Sequence, residues 1–262
     1  MFMSNSNNKM KLSAAIITLN EEHNLQKTLP TIKDLVDEII IVDSGSTDKT
    51  KEIAESFNSK FIFNQWQGYG KQRNFAFSNC SGDWILCIDA DEPVSHKLSN
   101  KIKEIVNNKD NNCKVFSIIR RGVCFGKKLK YGMFFNDYQI RLFKNGAGMF
   151  NDNVVHEKFI TEHKIKKLKK KYFILHYAYN SMEDYLERFN KYTTLGAIDC
   201  KIKNKKSYVF KIVFSPFLTF LKMYFLKLGF LDGLEGFVLS ITSATYPMIK
   251  YFKLREKQNN NI

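Results

Sequence analysis

Two carboxylates, Asp89 and Asp91, follow the apolar run Trp84-Ile85-Leu86-Cys87-Ile88 with only the small Ala90 between them. The run has the character of a buried strand, so both acids can converge at the carboxyl edge of a sheet. Oxygen ligands in that position suit Mg²⁺ or Mn²⁺, which in turn holds a diphosphate. A solvated acidic turn is the bland alternative. Asp43 stands in the equivalent place after Glu-Ile-Ile-Ile-Val at 38–42. There a carboxylate can accept hydrogen bonds from a uracil or ribose, or act as a turn or helix-cap residue, a part that Asp48 suits better. Lys71, Gln72 and Arg73 open a helix after Gly68-Tyr69-Gly70, where the two cations can face phosphates or simply form a solvated helix start. The pairs Asn136-Asp137 and His156-Glu157 each lie beside a strand. Either carboxylate can be a general base if burial raises its pKa towards neutrality, and His156 can be a third metal ligand as neutral imidazole. Each pair fits an ordinary structural hydrogen bond equally well.

These residues need a scaffold, and the first hundred positions supply one. Strands are expected at 12–18, 38–42, 60–64 and 84–88, alternating with helices that start after Asn20 as cap, near Asp48, at Lys71 and near Ser95, and followed by a strand at 114–119. Acids at Glu21 and Glu22 suit the first turn of the first helix. Strands alternating with helices at this spacing imply right-handed crossovers, hence an α/β fold with a mostly parallel sheet covered by helices on both faces. Ligands then sit outside the carboxyl ends of the strands. Residues 120–135 look like a basic, Gly-punctuated loop, 138–143 and 154–160 like antiparallel strands, and 172–177 like a further strand. Ser181-x-x-Asp184 is a capping signal for a helix to about Cys200. From Ser207 onward come apolar helical segments broken by Pro216, Gly229, Gly233 and Gly236.

Several chemistries lack their motif. No G-x-G-x-x-G follows the first strand and no G-x-x-x-x-G-K-[ST] occurs, which disfavours dinucleotide oxidoreductases and P-loop NTPases. No serine has a G-x-S-x-G setting. The five cysteines form no C-x-x-C pair, so neither a disulfide scaffold nor a zinc module is expected. His23, His96, His163 and His176 have no partner at ligand spacing and read as surface or core residues.

The chain has 262 residues, a formal charge of +15 and 23 Phe, enough apolar surface to offset the entropy of folding. The basic excess is uneven. Six of the eight residues at 164–171 are Lys, and 201–262 holds eleven Lys or Arg against three acids. A cationic, aromatic C-terminal third suggests an anionic surface, either membrane or nucleic acid. The polar N-terminus shows no signal-peptide core, and no run reaches the roughly 20 apolar residues of a simple spanning helix.

The stretches AAIITLNEEHNLQKTL, DEIIIVDSGSTDKTKEIA and GYGKQRNFAF…GDWILCIDADE together resemble the family 2 glycosyltransferases of GT-A fold. The second half, with DYQIRLFKNG…VVHEKF, LHYAYNSMEDYLERFNKY and FLKMYFLKLGFLDGLEGF, resembles the branch holding the lipopolysaccharide-core β-1,4-glucosyltransferases (WaaE/KdtX type). The resemblance runs over about 11–255. It implies inverting transfer of a single sugar from a nucleotide-sugar, usually a UDP-hexose, with a divalent metal. Thr18, Asn20, Glu21 and Asp43 would line the nucleoside, Arg73 would neutralise phosphate, and Asp89 and Asp91 would hold the metal with help from His156. Glu157 is the first choice of base and Asp137 the second. The implied acceptor is a lipopolysaccharide or lipooligosaccharide core or other glycolipid, with a protein or another cell-surface glycan as alternative. No Q-x-x-R-W signature of processive synthases is present.

That reading divides the chain into a disordered 1–10, a catalytic domain at 11–178, a helical amphipathic membrane-associating extension at 179–255 and a tail at 256–262. The enzyme would be cytoplasmic, peripheral on the inner face of the cytoplasmic membrane. Residues 208–228, with Lys211, Lys222 and Lys227 among Phe, Leu and Tyr, suit an interfacial helix, each cation near an anionic leaflet adding about 1 kcal/mol. These helices can instead pack on the catalytic domain or form a dimer contact, and the run at 164–171 can be a solvated hairpin edge. Two rivals are weaker. A sugar-phosphate nucleotidyltransferase would need a Gly-rich basic loop where TLNEEHN stands, and a nucleic-acid-binding protein leaves the acids at two strand ends unexplained.

Overall fold

Leu12, Ala14 and Ile16 of the first strand, β1 (Leu12–Thr18), enter one hydrophobic core while Ala15 enters another. A strand apolar on both faces must be covered on both, which is why the sequence there shows no alternation. The computed structural model describes residues 10–109, 111–151 and 157–259, in two compact units. The first unit holds the residues up to Arg120 together with Tyr138–His176. The second holds Arg121–Asp137 and the residues from Tyr177 on.

In the first unit β1 is followed by α1 (Glu22–Ile32), β2 (Glu38–Asp43), α2 (Thr50–Ser56), β3 (Lys60–Phe63), α3 (Tyr69–Ser78), β4 (Trp84–Cys87) and α4 (His96–Asn107). Then come β5 (Val115–Cys124), β6 (Lys127–Lys128), β7 (Tyr138–Lys144), β8 (Met149–Phe150), β9 (Phe159–Ile160), β10 (Ile165–Lys167) and β11 (Phe173–Tyr179), with β5, β6 and β11 wholly or partly in the second unit. The strand order is β10-β5-β7-β4-β1-β2-β3, with β6 and β11 also paired to β5. β1 pairs in parallel with β2 and β4, and β2 with β3, while β7 runs antiparallel between β4 and β5. The expected α/β architecture with a mostly parallel sheet is therefore present. Leu25, Leu29 and Ile32 of α1 and Leu98, Ile102 and Ile105 of α4 fill one core, and Ala76 and Phe77 of α3 fill the other. Strand order reverses at β1, so the tips of β2 and β4 flank the point where ligands bind in such sheets.

Several local expectations are corrected. Asn20 does not cap α1: it sits in the left-handed region (φ 56°), and its Oδ1 accepts from the Thr47 amide at 2.9 Å. The stretch expected as a loop from 120 begins as strand, since β5 continues to Cys124 and pairs with β6. Of the strand expected at 154–160 only β9 is seen, paired with β8, and 152–156 lie outside the described residues. Ser181 does cap its helix, its Oγ accepting from the Asp184 amide at 3.1 Å.

In the second unit α5 (Met182–Ile202) and α6 (Val209–Leu221) both pack on α7 (Gly233–Asn259). Gly229 and Gly236 permit a very close approach, since a Cβ on Gly236 would lie 2.0 Å from the Gly229 carbonyl oxygen. Pro216 lies inside α6 without ending it. A π-turn, Lys222–Leu226, prolongs it, and the stretch Val209–Leu226 is 18 residues long with mean hydropathy 1.6 and only 6% buried. By length and composition alone it is long and apolar enough to be a candidate for crossing a membrane, although it falls short of a run of roughly 20 apolar residues. The helix runs through Pro216, and the π-turn carries it past Lys222.

Glu38 ties the bottom of the sheet, accepting from Ser13 Oγ and the Ser81 amide, both at 2.5 Å. Burial works to raise its pKa, but the hydrogen bonds from Ser13, Ser81 and Gly82 together hold it below the unfolded value of 4.5. A depressed carboxyl contributes stability that is complete above the unfolded pKa and fades as pH falls through the folded one. Glu38→Gln should therefore lower the urea midpoint at pH 7 and leave a much smaller gap to wild type near pH 3. Equal gaps at both pH values would show that the ionised carboxylate is not the stabilising form.

Candidate active site

Asp89 to Glu92 fold back on themselves at the tip of β4. The Glu92 amide donates to the Asp89 carbonyl at 3.0 Å, and the Asp89 amide donates to Glu92 Oε2 at 3.1 Å. From beneath, Thr28 of α1 donates to the Ala90 carbonyl at 2.6 Å and Thr31 Oγ1 accepts from the Val94 amide at 3.0 Å. The turn is thus held by the helix that follows β1, and its side chains are presented at the carboxyl edge.

Three carboxylates and three guanidiniums form a connected network there. Arg73 Nη2 lies 2.8 Å from Asp89 Oδ1, and its Nη1 lies 2.5 Å from Glu157 Oε1. Arg141 Nη2 lies 2.7 Å from both Asp89 Oδ2 and Glu92 Oε1, and Arg120 Nη1 lies 3.2 Å from Glu92 Oε1. Glu92 is fully buried and Arg141 nearly so. Burial alone would raise the Asp89 pKa, but Arg141 and then Arg73 hold it well below the usual carboxylate range. Arg73, Asp89, Arg141 and Glu157 line a cleft of about 450 Å³ with Phe150 and Phe159, a size suited to a small-molecule ligand. The Nε atoms of Arg73 and Arg141 are buried with no acceptor among the described residues.

Asp91 lies apart from this network. Its Oδ2 is 3.3 Å from His176 Nε2, on β11. Burial lowers the His176 pKa, but the hydrogen bond and charge of Asp91 outweigh it and raise the pKa overall. One carboxylate oxygen and one imidazole nitrogen thus meet beside the β4 turn. A hard divalent cation commonly takes one or two protein ligands and completes its shell with substrate phosphates and water. The donor set of Asp91 and His176 fits such an ion. Asp89 fits it poorly, because both its oxygens already face guanidiniums. Among the described residues no three His, Cys, Asp or Glu side chains gather as a metal cage, and His156 lies outside them.

The nucleoside candidates gather at the tips of β1 and β2. Asp43 is buried, and its Oδ1 accepts from the Gly45 and Ser46 amides at 2.8 and 2.7 Å. Its Oδ2 accepts from Thr18 Oγ1 at 2.9 Å and Ser46 Oγ at 2.5 Å. All four acceptor positions are in use, so in this state Asp43 organises its own loop. Asn20 braces that loop through Ser46 and Thr47, and the Glu21 amide donates to Thr50 Oγ1 at 2.8 Å. Asp137 belongs to the second unit, shortly after the 3₁₀ turn Gly132–Phe134; burial and Lys222 lower the pKa of Lys227 in that unit, and the nearby Asp137 charge partly opposes them.

Sequence reasoning missed Glu92, Arg120, Arg141 and His176. The arginine inside the apolar strand YQIRLF was a usable signal, because a charge at an inward strand position must be paired. For His176 there was none, since only the fold brings β11 to Asp91.

Residues 13–163 match the family model described as Glycosyl transferase family 2. The lipopolysaccharide core biosynthesis glycosyltransferase LpsC of Rhizobium meliloti (strain 1021) is 31% identical over 255 residues, which cover 95% of this chain and 93% of that protein. The uncharacterized glycosyltransferase RT0209 of Rickettsia typhi is 32% identical over 254 residues, 94% of this chain and 87% of that protein. Among solved structures, S. aureus TarS 1–349 superimposes with a TM-score of 0.48 at 17% identity, over 97% of this chain and 92% of that one.

Proposed function

Because this chain belongs to glycosyl transferase family 2 and is a glycosyltransferase, we propose that it transfers one sugar, with inversion, from a UDP-hexose to a lipopolysaccharide-core or related glycolipid acceptor. The observation that carries the reading is the pairing of Asp91 with His176 beside the arginine–carboxylate cleft, at the switch point of the sheet. The acceptor class rests on the likeness to LpsC, whose name assigns it to lipopolysaccharide core biosynthesis. A β-1,4-glucosyl linkage is the finer reading that the motif resemblance favours. Such an acceptor implies work at the inner face of the cytoplasmic membrane.

In this reading Asp91 and His176 hold Mg²⁺ or Mn²⁺, which when bound supplies charge stabilisation to the departing diphosphate. Thr18, Asn20, Glu21 and Asp43 shape the nucleoside edge, with Asp43 exchanging Ser46 Oγ for the ligand. Arg73 fixes Glu157 at the cleft wall by the 2.5 Å ion pair. Glu157 then takes the proton of the acceptor hydroxyl as that oxygen attacks the anomeric carbon from the face opposite the diphosphate. One displacement inverts the centre, so no covalent enzyme nucleophile is needed. The buried Nε donors of Arg73 and Arg141 would find an acceptor in an anionic ligand entering the cleft.

Thermal stabilisation tests the donor. UDP-sugar with Mn²⁺ should raise the melting temperature by several degrees, since ligand at a hundred times its Kd adds about 2.7 kcal/mol. GDP- and dTDP-sugars should not, and stabilisation by no nucleotide would remove the reading. Glu157→Gln should cut transfer by roughly 10²–10⁴-fold with that stabilisation kept, while Asp137→Asn stays near wild type. The opposite pattern would move the base to Asp137.

A further inference from the structure

α6 is a helix of thirteen residues in which no residue is buried. Its exposed apolar side chains come in adjacent pairs four positions apart: Val209 and Phe210, Val213 and Phe214, Phe217 and Leu218. A four-residue step drifts only slowly round a helix of 3.6 residues per turn, so the pairs form one row along one side. The π-turn at Lys222–Leu226 is wound more loosely, and Phe225 and Leu226 extend the series of exposed pairs beyond α6. The opposite side of α6 packs on α7. Rings join α6 and the π-turn to α7 and the 3₁₀ turn before it: Phe237 lies 6.3 Å from Phe220 and 5.6 Å from Tyr224, and Phe230 lies 6.1 Å from Tyr224. The apolar surface therefore continues through Phe230, Leu231 and Leu234, all exposed.

Charge identifies what covers this surface. Residues 201–228 contain seven Lys and no Asp or Glu. Lys211 and Lys222 are exposed on the apolar helix itself, and Lys211 Nζ rests over the Tyr208 ring at 5.3 Å and the Tyr251 ring at 5.4 Å. A second copy of this chain would bring these lysines against lysines. An anionic leaflet brings phosphates against them and acyl chains against the Phe row. A spanning orientation would place Lys211 and Lys222 in hydrocarbon and would strip α7 from the other side.

We propose that the Phe210–Phe214–Phe217–Phe225 row lies flat in the interface of an anionic lipid bilayer, docking the enzyme in the plane of the membrane; this rests on the membrane-borne acceptor proposed above. The full chain should float with phosphatidylcholine vesicles containing about one-third phosphatidylglycerol at least roughly tenfold better than with phosphatidylcholine alone. Alkaline carbonate should release it. Phe214→Glu with Phe217→Glu should cut flotation by about tenfold or more, and Lys211→Gln with Lys222→Gln should weaken the anionic preference by roughly tenfold. Stabilisation by UDP-sugar and Mn²⁺, read without vesicles, should stay at wild type in both variants. Its loss in the wild type would count against the donor reading and leave the docking result standing. Equal binding to neutral vesicles, unchanged flotation of the glutamate variant, or retention after carbonate would overturn the docking. So would a dimer in light scattering that the glutamate variant converts to monomer.

Discussion

Arg141→Gln lowers the melting temperature by on the order of 10 °C and removes most transfer activity; that is the largest stability effect the structure leads us to expect. The Arg141 side chain is 4% exposed and bonds Asp89 and Glu92 at 2.7 Å each. Its loss leaves a fully buried Glu92 with Arg120 at 3.2 Å as its remaining cation, and leaves Asp89 with Arg73. Removing one partner of a buried ion pair costs about 3–5 kcal/mol, because the other charge stays desolvated. In a chain of this size each kcal/mol is worth roughly 2–4 °C. Adding Glu92→Gln should recover part of the loss, since the cycle removes the unpaired carboxylate as well. Calorimetry of the two single variants and the double gives the coupling directly, and additive losses would show that Glu92 and Arg141 do not act as a pair. Activity falls with stability here because Asp89 and, through Arg73, Glu157 are set by the same network.

Asp91→Asn should have the opposite profile. Asp91 pairs with His176 at 3.3 Å, apart from the arginine–carboxylate network, so the melting temperature should move by only a few degrees. Transfer, however, should fall by about 10²-fold or more, because charge stabilisation by a bound cation is worth several kcal/mol. The extra thermal stabilisation that Mn²⁺ gives to UDP-sugar should disappear with it, and His176→Asn should do the same. Asp89→Asn should resemble Arg141→Gln instead, with stability and activity lost together. If Asp89→Asn removed the Mn²⁺ effect while Asp91→Asn kept it, the cation seat would have to be moved to Asp89.

The alternation of β-strand and helix up to β4 was legible because each parallel strand is a short apolar run bounded by polar turns, and local composition suffices to show it. The acids after β2 and β4 were legible for the same reason, as was the Ser181 cap. Asn20 was misread because residue type alone does not reveal a left-handed backbone or a bond to Thr47 across the edge. The continuity of α6 through Pro216 was not legible, because Pro usually ends an apolar helix, whereas in the fold α6 runs through it while packed on α7.

The chemistry available at the sheet edge, carboxylates after apolar strands with no phosphate-binding glycine loop, was written in the order of residues, since strand ends are local features. Which carboxylate does what was not. Asp89 and Asp91 are interchangeable in a string of letters, but 52 positions separate Asp89 from Arg141, and only the antiparallel insertion of β7 beside β4 brings them together. Likewise only β11 delivers His176 to Asp91. A carboxylate's role depends on the charges within a few ångströms of it, and those neighbours come from distant parts of the chain.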